Sequence, residues 1–361
     1  MSSELLRPSD LLAHRLLHQQ ICAPRFSTPA ETVDWMGALQ AQDFTAARWA
    51  IGLRTHQGTH QQVDQAIREG TILRTWLMRG TLHFVSAKEV RGILVLLAPR
   101  LIAASALRYR QLELNNKTWN RSRKILLRAL TDQPEMTRPE LYAALERSGI
   151  STKDQRGIHI LRHLAIEGQI CLAAPRGKQP CFTLLERRVP AEPLPHRQES
   201  LARLTQRYFQ SHGPATEQDF AWWAGLPLKV AREGIALVDS QLQKAQVAGT
   251  DYWHIHQGSP PPKPTGSFLL PGFDEFLLGY RDRHLVLPPQ YASHIVPGNN
   301  GIFLPIVVIR GRIVGSWRRK AVKKRIQWEF APFAPWSATT IRSLKKPQKQ
   351  IDRFWGMEPA G

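Results

Sequence analysis

Asn120–Leu185 reads NRSRKILLRALTDQPEMTRPELYAALERSGISTKDQRGIHILRHLAIEGQICLAAPRGKQPCFTLL, and its order of elements decides the fold. NRSRKILLRALTD carries apolar residues at helical spacing. Thr137 with Glu140 three residues on is a helix start, because the two side chains can cap each other's backbone N–H groups. QRGIHILRHLAIEGQ supplies a third helix. ICLAA and CFTLL are β-like runs around PRGKQ, Pro175–Gln179. Three helices followed by a β-hairpin is the winged-helix pattern, an elaboration of helix-turn-helix.

The same order recurs on either side. Thr28 to Glu31 and Thr216 to Asp219 repeat the Thr-x-x-acid start. SDLLAHRLLHQQ and ESLARLTQRYFQSHG precede them; FTAARWAIGLR and LPLKVAREGIALVDSQL follow. The first unit closes on ILRTWLM and TLHFV around Arg79-Gly80. The third has only VAGTDYWHIH as a hairpin. KEVRGILVLLAPRLIAASALRYRQLEL reads as one or two connecting helices. The Pro-rich Ser259–Gly266, SPPPKPTG, marks a boundary, since repeated Pro stiffens and extends the chain. Beyond it SFLLPGF, HLVLPP, GIFLPIVVI, RIVGSW and RIQWEFAPF read as strands of a small antiparallel sheet or barrel. The tail from Ser337 starts as a helix. The expected fold is α+β and mainly helical: three tandem winged-helix motifs over 1–115, 116–192 and 193–258, then a β-barrel-like domain with a basic tail over 259–361.

Composition narrows the partners. Of 361 residues, 49 are Lys or Arg and 29 are Asp or Glu, a net charge of +20. Such an excess points to nucleic acid. It is concentrated: Arg310–Lys349 holds twelve cations and one acid, Glu329. This stretch reads as strands and turns rather than as the amphipathic helix of a membrane-surface protein. No apolar run approaches the roughly 20 residues that cross a bilayer. The N-terminus lacks an apolar signal core, so a cytoplasmic protein is expected. Cys22, Cys171 and Cys181 are widely spaced, which fits a reducing compartment and offers no metal cluster.

Gln40 and Gln42, in GALQAQDFTAARWA, stand between two helices. Thr28-Pro29-Ala30-Glu31 starts the first, with Val33, Met36 and Leu39 as its apolar positions. Asp43 is placed to cap the second. An extended bend aims side chains two residues apart to one side, where helical geometry separates them. Two amides offer carbonyl acceptors and NH2 donors that can hold water or a sugar hydroxyl without charge. A solvated turn is the plain alternative.

The runs LQAQD, LRTWLMRGTLHF, HGPATEQDFAWWAGL, LLPGFDEFLLGYRDR and GRIVGSWRR together resemble the AlkZ/YcaQ-like bacterial winged-helix proteins, in that family's order and over nearly the whole chain. The resemblance implies three winged-helix motifs arranged around DNA and a C-terminal β-barrel. It implies a DNA glycosylase acting on bulky alkylated bases and interstrand crosslinks. The family's catalytic motif is Gln, an apolar residue, then Gln or Asp. Gln40-Ala41-Gln42 matches its Gln-ending, AlkZ-like branch, which makes Gln40 and Gln42 the candidate catalytic pair. The implied partner is double-stranded DNA with alkylated or crosslinked bases, bound by a monomer associated with the nucleoid. No cofactor and no metal are implied. A winged-helix DNA-binding protein without catalysis is the alternative.

Further candidates follow from position and charge. Arg79 and His83 lie on the first wing, where phosphate or groove contact is expected. Asp274 and Glu275 adjoin Arg281 and Arg283. Adjacent acids point apart in most backbones, so salt bridges, or bracing of the Gln40–Gln42 bend, fit them better than paired catalysis. Arg281 and Arg283 remain candidate DNA contacts. Arg318, Arg319, Lys320 and Lys323, flanked by Trp317 and Trp328, form the densest basic run and are expected on phosphates. The thirteen histidines show no metal-site spacing; His254 and His256 in HIHQ could chelate, but a scattered pair is a poor metal site.

Overall fold

The computed structural model describes residues 4–190, 193–255, 265–322 and 325–357. The chain divides into two compact units, Met1–Val63 with Ala202–Gly361, and Asp64–Leu201. Lys323, His256 and most of the Pro-rich boundary lie outside the described residues.

In chain order the elements are β1 (Glu4–Leu5), α1 (Pro8–His18), α2 (Pro29–Met36), β2 (Leu39–Gln40), α3 (Phe44–Arg54) and α4 (His60–Glu69). Next come the hairpin β3 (Ile72–Leu77) and β4 (Thr81–Ser86), α5 (Val90–Ala104) and α6 (Ala106–Gln111). Then follow α7 (Asn116–Asp132), β5 (Met136–Thr137), α8 (Arg138–Arg147), α9 (Arg156–Ile166) and the hairpin β6 (Ile170–Arg176) and β7 (Gln179–Leu184). α10 (Arg197–His212), α11 (Glu217–Ala224) and α12 (Leu228–Leu237) precede β8 (Leu242–Val247) and β9 (Thr250–Ile255). The last stretch holds β10 (Ser267–Leu270), α13 (Glu275–Leu278), α14 (Ala292–Ile295), β11 (Ile306–Ile309), β12 (Arg312–Val322), β13 (Arg325–Pro332), α15 (Ala338–Ser343) and α16 (Lys345–Phe354).

Local chemistry sets the helix starts. Thr28, Thr137 and Thr216 each accept a hydrogen bond from the backbone N–H three residues on, at 3.2, 3.4 and 3.0 Å, and the acid there bonds back. The expected helix–helix–helix–hairpin order is present around Thr137 and Thr216, and around Thr28 with one helix more. One helix was not expected: α4, HQQVDQAIRE, is polar except for Val63, Ala66 and Ile67, which are buried. Four helices therefore precede the first hairpin. The third hairpin turns at Ala248-Gly249, both at positive φ (47° and 78°). Ala is an uncommon residue there, which explains the weak turn signal in the sequence.

In the second unit the strands run β4-β3-β6-β7-β5, all antiparallel. Leu126, Leu130, Leu141, Leu145, Ile160, Leu161, Leu164 and Phe182 form its core. In the first unit β1 pairs parallel with β8, which pairs with β9.

Strands β10-β11-β12-β13 form an antiparallel sheet whose end strands do not meet. The expected barrel is thus an open sheet among the described residues. Four strands are fewer than the five of even a partly open Greek-key barrel. HLVLPP, expected as a strand, is a turn: Pro288 and Pro289 have no N–H to donate to a ladder. The tail is helical from Ala338, as expected, but it ends in the one-sided α16, so the end of the basic stretch is an amphipathic helix rather than strands and turns.

Candidate active site

The first unit places Gln40 and Gln42 on a short extended bend between α2 and α3. α2 stops at Gly37, whose φ is +75°. A Cβ there would stand 3.3 Å from Arg207 Cβ and 3.4 Å from the Trp223 ring, so the turn needs glycine twice over. α3 begins at Asp43, which accepts the Ala46 N–H at 2.9 Å. Between the caps burial alternates: Leu39 and Ala41 are buried, Gln40 is half-buried and Gln42 is exposed. The alternation puts both glutamines on one side of the chain, as an extended bend demands.

Gln40 is held through its backbone. Its N–H donates to Glu275 Oε1 at 2.8 Å, while its side-chain Oε1 is buried without a hydrogen-bond partner among the described residues. Glu275, 2% exposed, starts α13. Its Oε2 accepts the Trp223 Nε1–H at 3.0 Å and lies 3.6 Å from His212 Nε2. Both oxygens thus accept N–H bonds, the pattern of a carboxylate. Burial lowers the pKa of His212 and outweighs the opposing pull of Glu275, so the ring is neutral near pH 7. Glu275 thus joins the Gln40 backbone to the Trp223 indole through its two oxygens.

Asp274 faces the other way. Its oxygens take Arg54 Nη2 at 2.7 Å and Nη1 at 2.8 Å, and both residues are fully buried. Asp274 Oδ1 also accepts the Phe276 N–H. Arg54 Nη2 donates on to Gln19 Oε1 at 3.0 Å, Gln19 Nε2 to the Tyr280 hydroxyl at 3.0 Å, and Tyr280 to the His212 carbonyl at 2.8 Å. Arg15 sits over the Tyr280 ring, 3.6 Å from its centroid, and reaches Asp219 at 3.8 Å. This buried network ties α1, α3, α10, α11 and α13 into one support behind the bend.

The remaining sequence candidates are placed as follows. Arg79 is half-buried in the β3–β4 turn at φ 46°, and beside it a Cβ on Gly80 would overlap the Arg162 guanidinium. His83 is 1% exposed with Nδ1 2.9 Å from the Thr81 carbonyl, a position without a face toward a duplex. Arg281 is exposed, and its backbone N–H donates to Asp219 at 2.9 Å. Arg283 donates to the Leu277 and Tyr280 carbonyls and stands 5.3 Å from the Phe303 ring. Arg318 and Lys320 are exposed on one face of β12, and Lys320 pairs with Glu329 at 2.9 Å. Arg319 takes the opposite face with buried Trp317, 3.4 Å from Asp352. Strand alternation forbids three consecutive cations one common face.

Reading the sequence alone left Trp223, His212, Arg54 and Gln19 unassigned. Trp223 stood in the run HGPATEQDFAWWAGL but carried no chemical signal, and the others only gain a role through contacts far along the chain.

A family model described as DNA glycosylase AlkZ-like matches residues 33–354, a span holding Gln40, Gln42 and Glu275. The chain belongs to the AlkZ-like DNA glycosylase family. It is 26% identical over 365 residues to the interstrand DNA cross-link repair glycosylase of Streptomyces sahachiroi, covering 94% of this chain and 95% of that protein. The solved structure of Streptomyces sahachiroi DNA glycosylase AlkZ has the same fold, with a TM-score of 0.80 at 24% identity and 98% of each chain covered. Within the AlkZ-like family the Gln-apolar-Gln bend is where the sequence resemblance led.

Proposed function

We propose that this AlkZ-like chain is a monofunctional, metal-independent DNA glycosylase. It hydrolyses the N-glycosidic bond of N7- or N3-alkylated purines, including bulky and interstrand-crosslinked ones, as a monomer acting on cytoplasmic DNA. The carrying observation is Gln40: its backbone is clamped by Glu275 while its carbonyl oxygen lacks a partner. A buried acceptor without a partner is costly unless a ligand or water completes it.

An alkylated purine of this kind is cationic and leaves as a neutral base. Leaving-group activation is therefore already supplied by the lesion. Water attacks C1′, the C1′–N bond breaks with its electron pair going to the base, which leaves neutral, and the oxygen that has added to C1′ releases its extra proton to solvent. Gln40 and Gln42 orient the water and turn carbonyl dipoles toward the developing sugar cation. Glutamine does not titrate in this range, so neither residue acts as a general base. Amides also spare the site a carboxylate at the DNA surface, where phosphates would oppose its charge. The substrate range is then limited to labile cationic lesions. No lysine nucleophile enters the scheme, hence hydrolysis without a lyase step. The element order around the three Thr caps supports three winged-helix motifs as the DNA-embracing scaffold.

The test is incubation with an N7-methylguanine duplex followed by alkaline cleavage at abasic sites. Strand breaks at the lesion are expected with the wild type. Duplex binding without breaks would favour the non-catalytic reading.

A further inference from the structure

Within the first unit a cleft of about 1770 Å³ runs along α16. Six cations line it: Arg310, Arg342, Lys345, Lys346, Lys349 and Arg353. All six are exposed, no Asp or Glu shares the lining, and among the described residues none of the six forms an ion pair. The hydroxyls of Thr339 and Thr340 lie on the same wall. The other face of α16 is buried through Pro347, Ile351 and Phe354. The Phe354 ring fills the space over Gly52 and stands 5.2 Å from Trp49, so α16 is packed onto α3.

That packing indexes the cleft to the bend. α3 starts two residues after Gln42, and Thr55, His56 and Gln57 just past its end line the cleft. An eleven-residue helix spans about 16 Å. Each base-pair step advances about 3.4 Å along the duplex axis, so the length of α3 corresponds to about five steps of duplex.

We propose that this cleft is a phosphate-backbone track for duplex DNA flanking the lesion, distinct from the bend that carries the chemistry. It rests on the reading of the chain as a DNA-acting enzyme. Unpaired ammonium groups with neighbouring hydroxyls suit sequence-independent phosphate contact. The cations of the run Arg318–Lys320 are less suited, because Arg319 is turned inward and Lys320 is paired. The track supplies lesion-independent affinity and leaves the chemical step to Gln40 and Gln42.

The test is a Lys345→Gln/Lys346→Gln/Lys349→Gln variant, with Lys349→Gln alone as a milder change. Affinity for an undamaged duplex is measured across salt concentrations, and excision at saturating enzyme is measured in single turnover. Each phosphate contact contributes about 0.9 to the slope of log affinity against log salt, so the slope falls by about two to three units in the triple variant and about one in the single. The single-turnover rate stays within about twofold of wild type. An unchanged slope in a folded triple variant overturns the proposal. A salt slope that falls in the triple variant, together with a wild type that never excises, would sink the glycosylase reading and leave the track standing.

Discussion

At Gln42, replacing the amide by the carboxylate of a side chain one methylene shorter separates a dipole from a charge. Gln42→Asp imitates the Asp-ending branch of the family motif. If the carbonyl faces the developing cation, a carboxylate retains activity, and desolvation together with phosphate repulsion raises its pKa. Excision by this variant is expected to rise with pH between about 5 and 8 as the carboxylate ionises, against a flatter wild-type profile. Loss of activity at every pH, with folding and duplex binding intact, would show instead that Gln42 donates through its NH2. The two glutamines were legible in the sequence because their signals are local: a Thr cap and a glycine before them, an Asp cap after them. Glu275 was legible only as a candidate brace for the bend. Its contact to Gln40 spans 235 positions, which no local pattern encodes.

The coupling of elements gives a second test. β2 is two residues long, and its grip on the support is the carboxylate at the start of α13. Glu275→Gln leaves one carbonyl to serve two N–H donors, Gln40 and Trp223, and turns an NH2 toward the other. The bend then shifts. A misplacement near 1 Å costs catalysis on the order of 100-fold, so a 10- to 100-fold lower single-turnover rate is expected with duplex affinity within about threefold. An unchanged rate would mean that the clamp does not position Gln40. At this scale the caps and the first two hairpins were readable, since Thr-x-x-acid starts and period-2 runs are short-range signals. α4 was not, because its apolar stripe is only three residues among polar ones. The basic run shows the opposite failure: charge was counted along the chain, whereas β12 sends Arg318 and Arg319 to opposite faces.

Over the whole molecule, the charge of +20 was readable and its placement was not. The cations of the cleft come from a β-turn and two helices that only tertiary packing brings to one wall. Buried histidine adds a pH dependence. Burial, with His14, His254 and Arg25 as lesser causes, pushes His18 down to about 3 from 6.5, and its Nδ1 lies 2.7 Å from the Gly213 carbonyl. The unfolded chain binds this proton below about pH 6.5 and the folded one does not until about pH 3. Stability is therefore intact above 6.5 and falls as pH drops through that window, by up to about 1.4 kcal/mol per pH unit for this group. His18→Asn, whose amide nitrogen can keep the bond to Gly213, is expected to flatten the dependence in urea unfolding between pH 4.5 and 6.5; an unaltered slope would place the proton uptake elsewhere. The central claim is that the Gln40–Gln42 bend hydrolyses the glycosidic bond of a cationic purine. Single-turnover excision of N7-methylguanine by the wild type and by Gln40→Ala/Gln42→Ala tests it most directly. The account predicts alkali-labile sites with the wild type and a loss of about 100-fold or more in the variant, with duplex affinity within a few fold. Equal excision rates for the two proteins would contradict it.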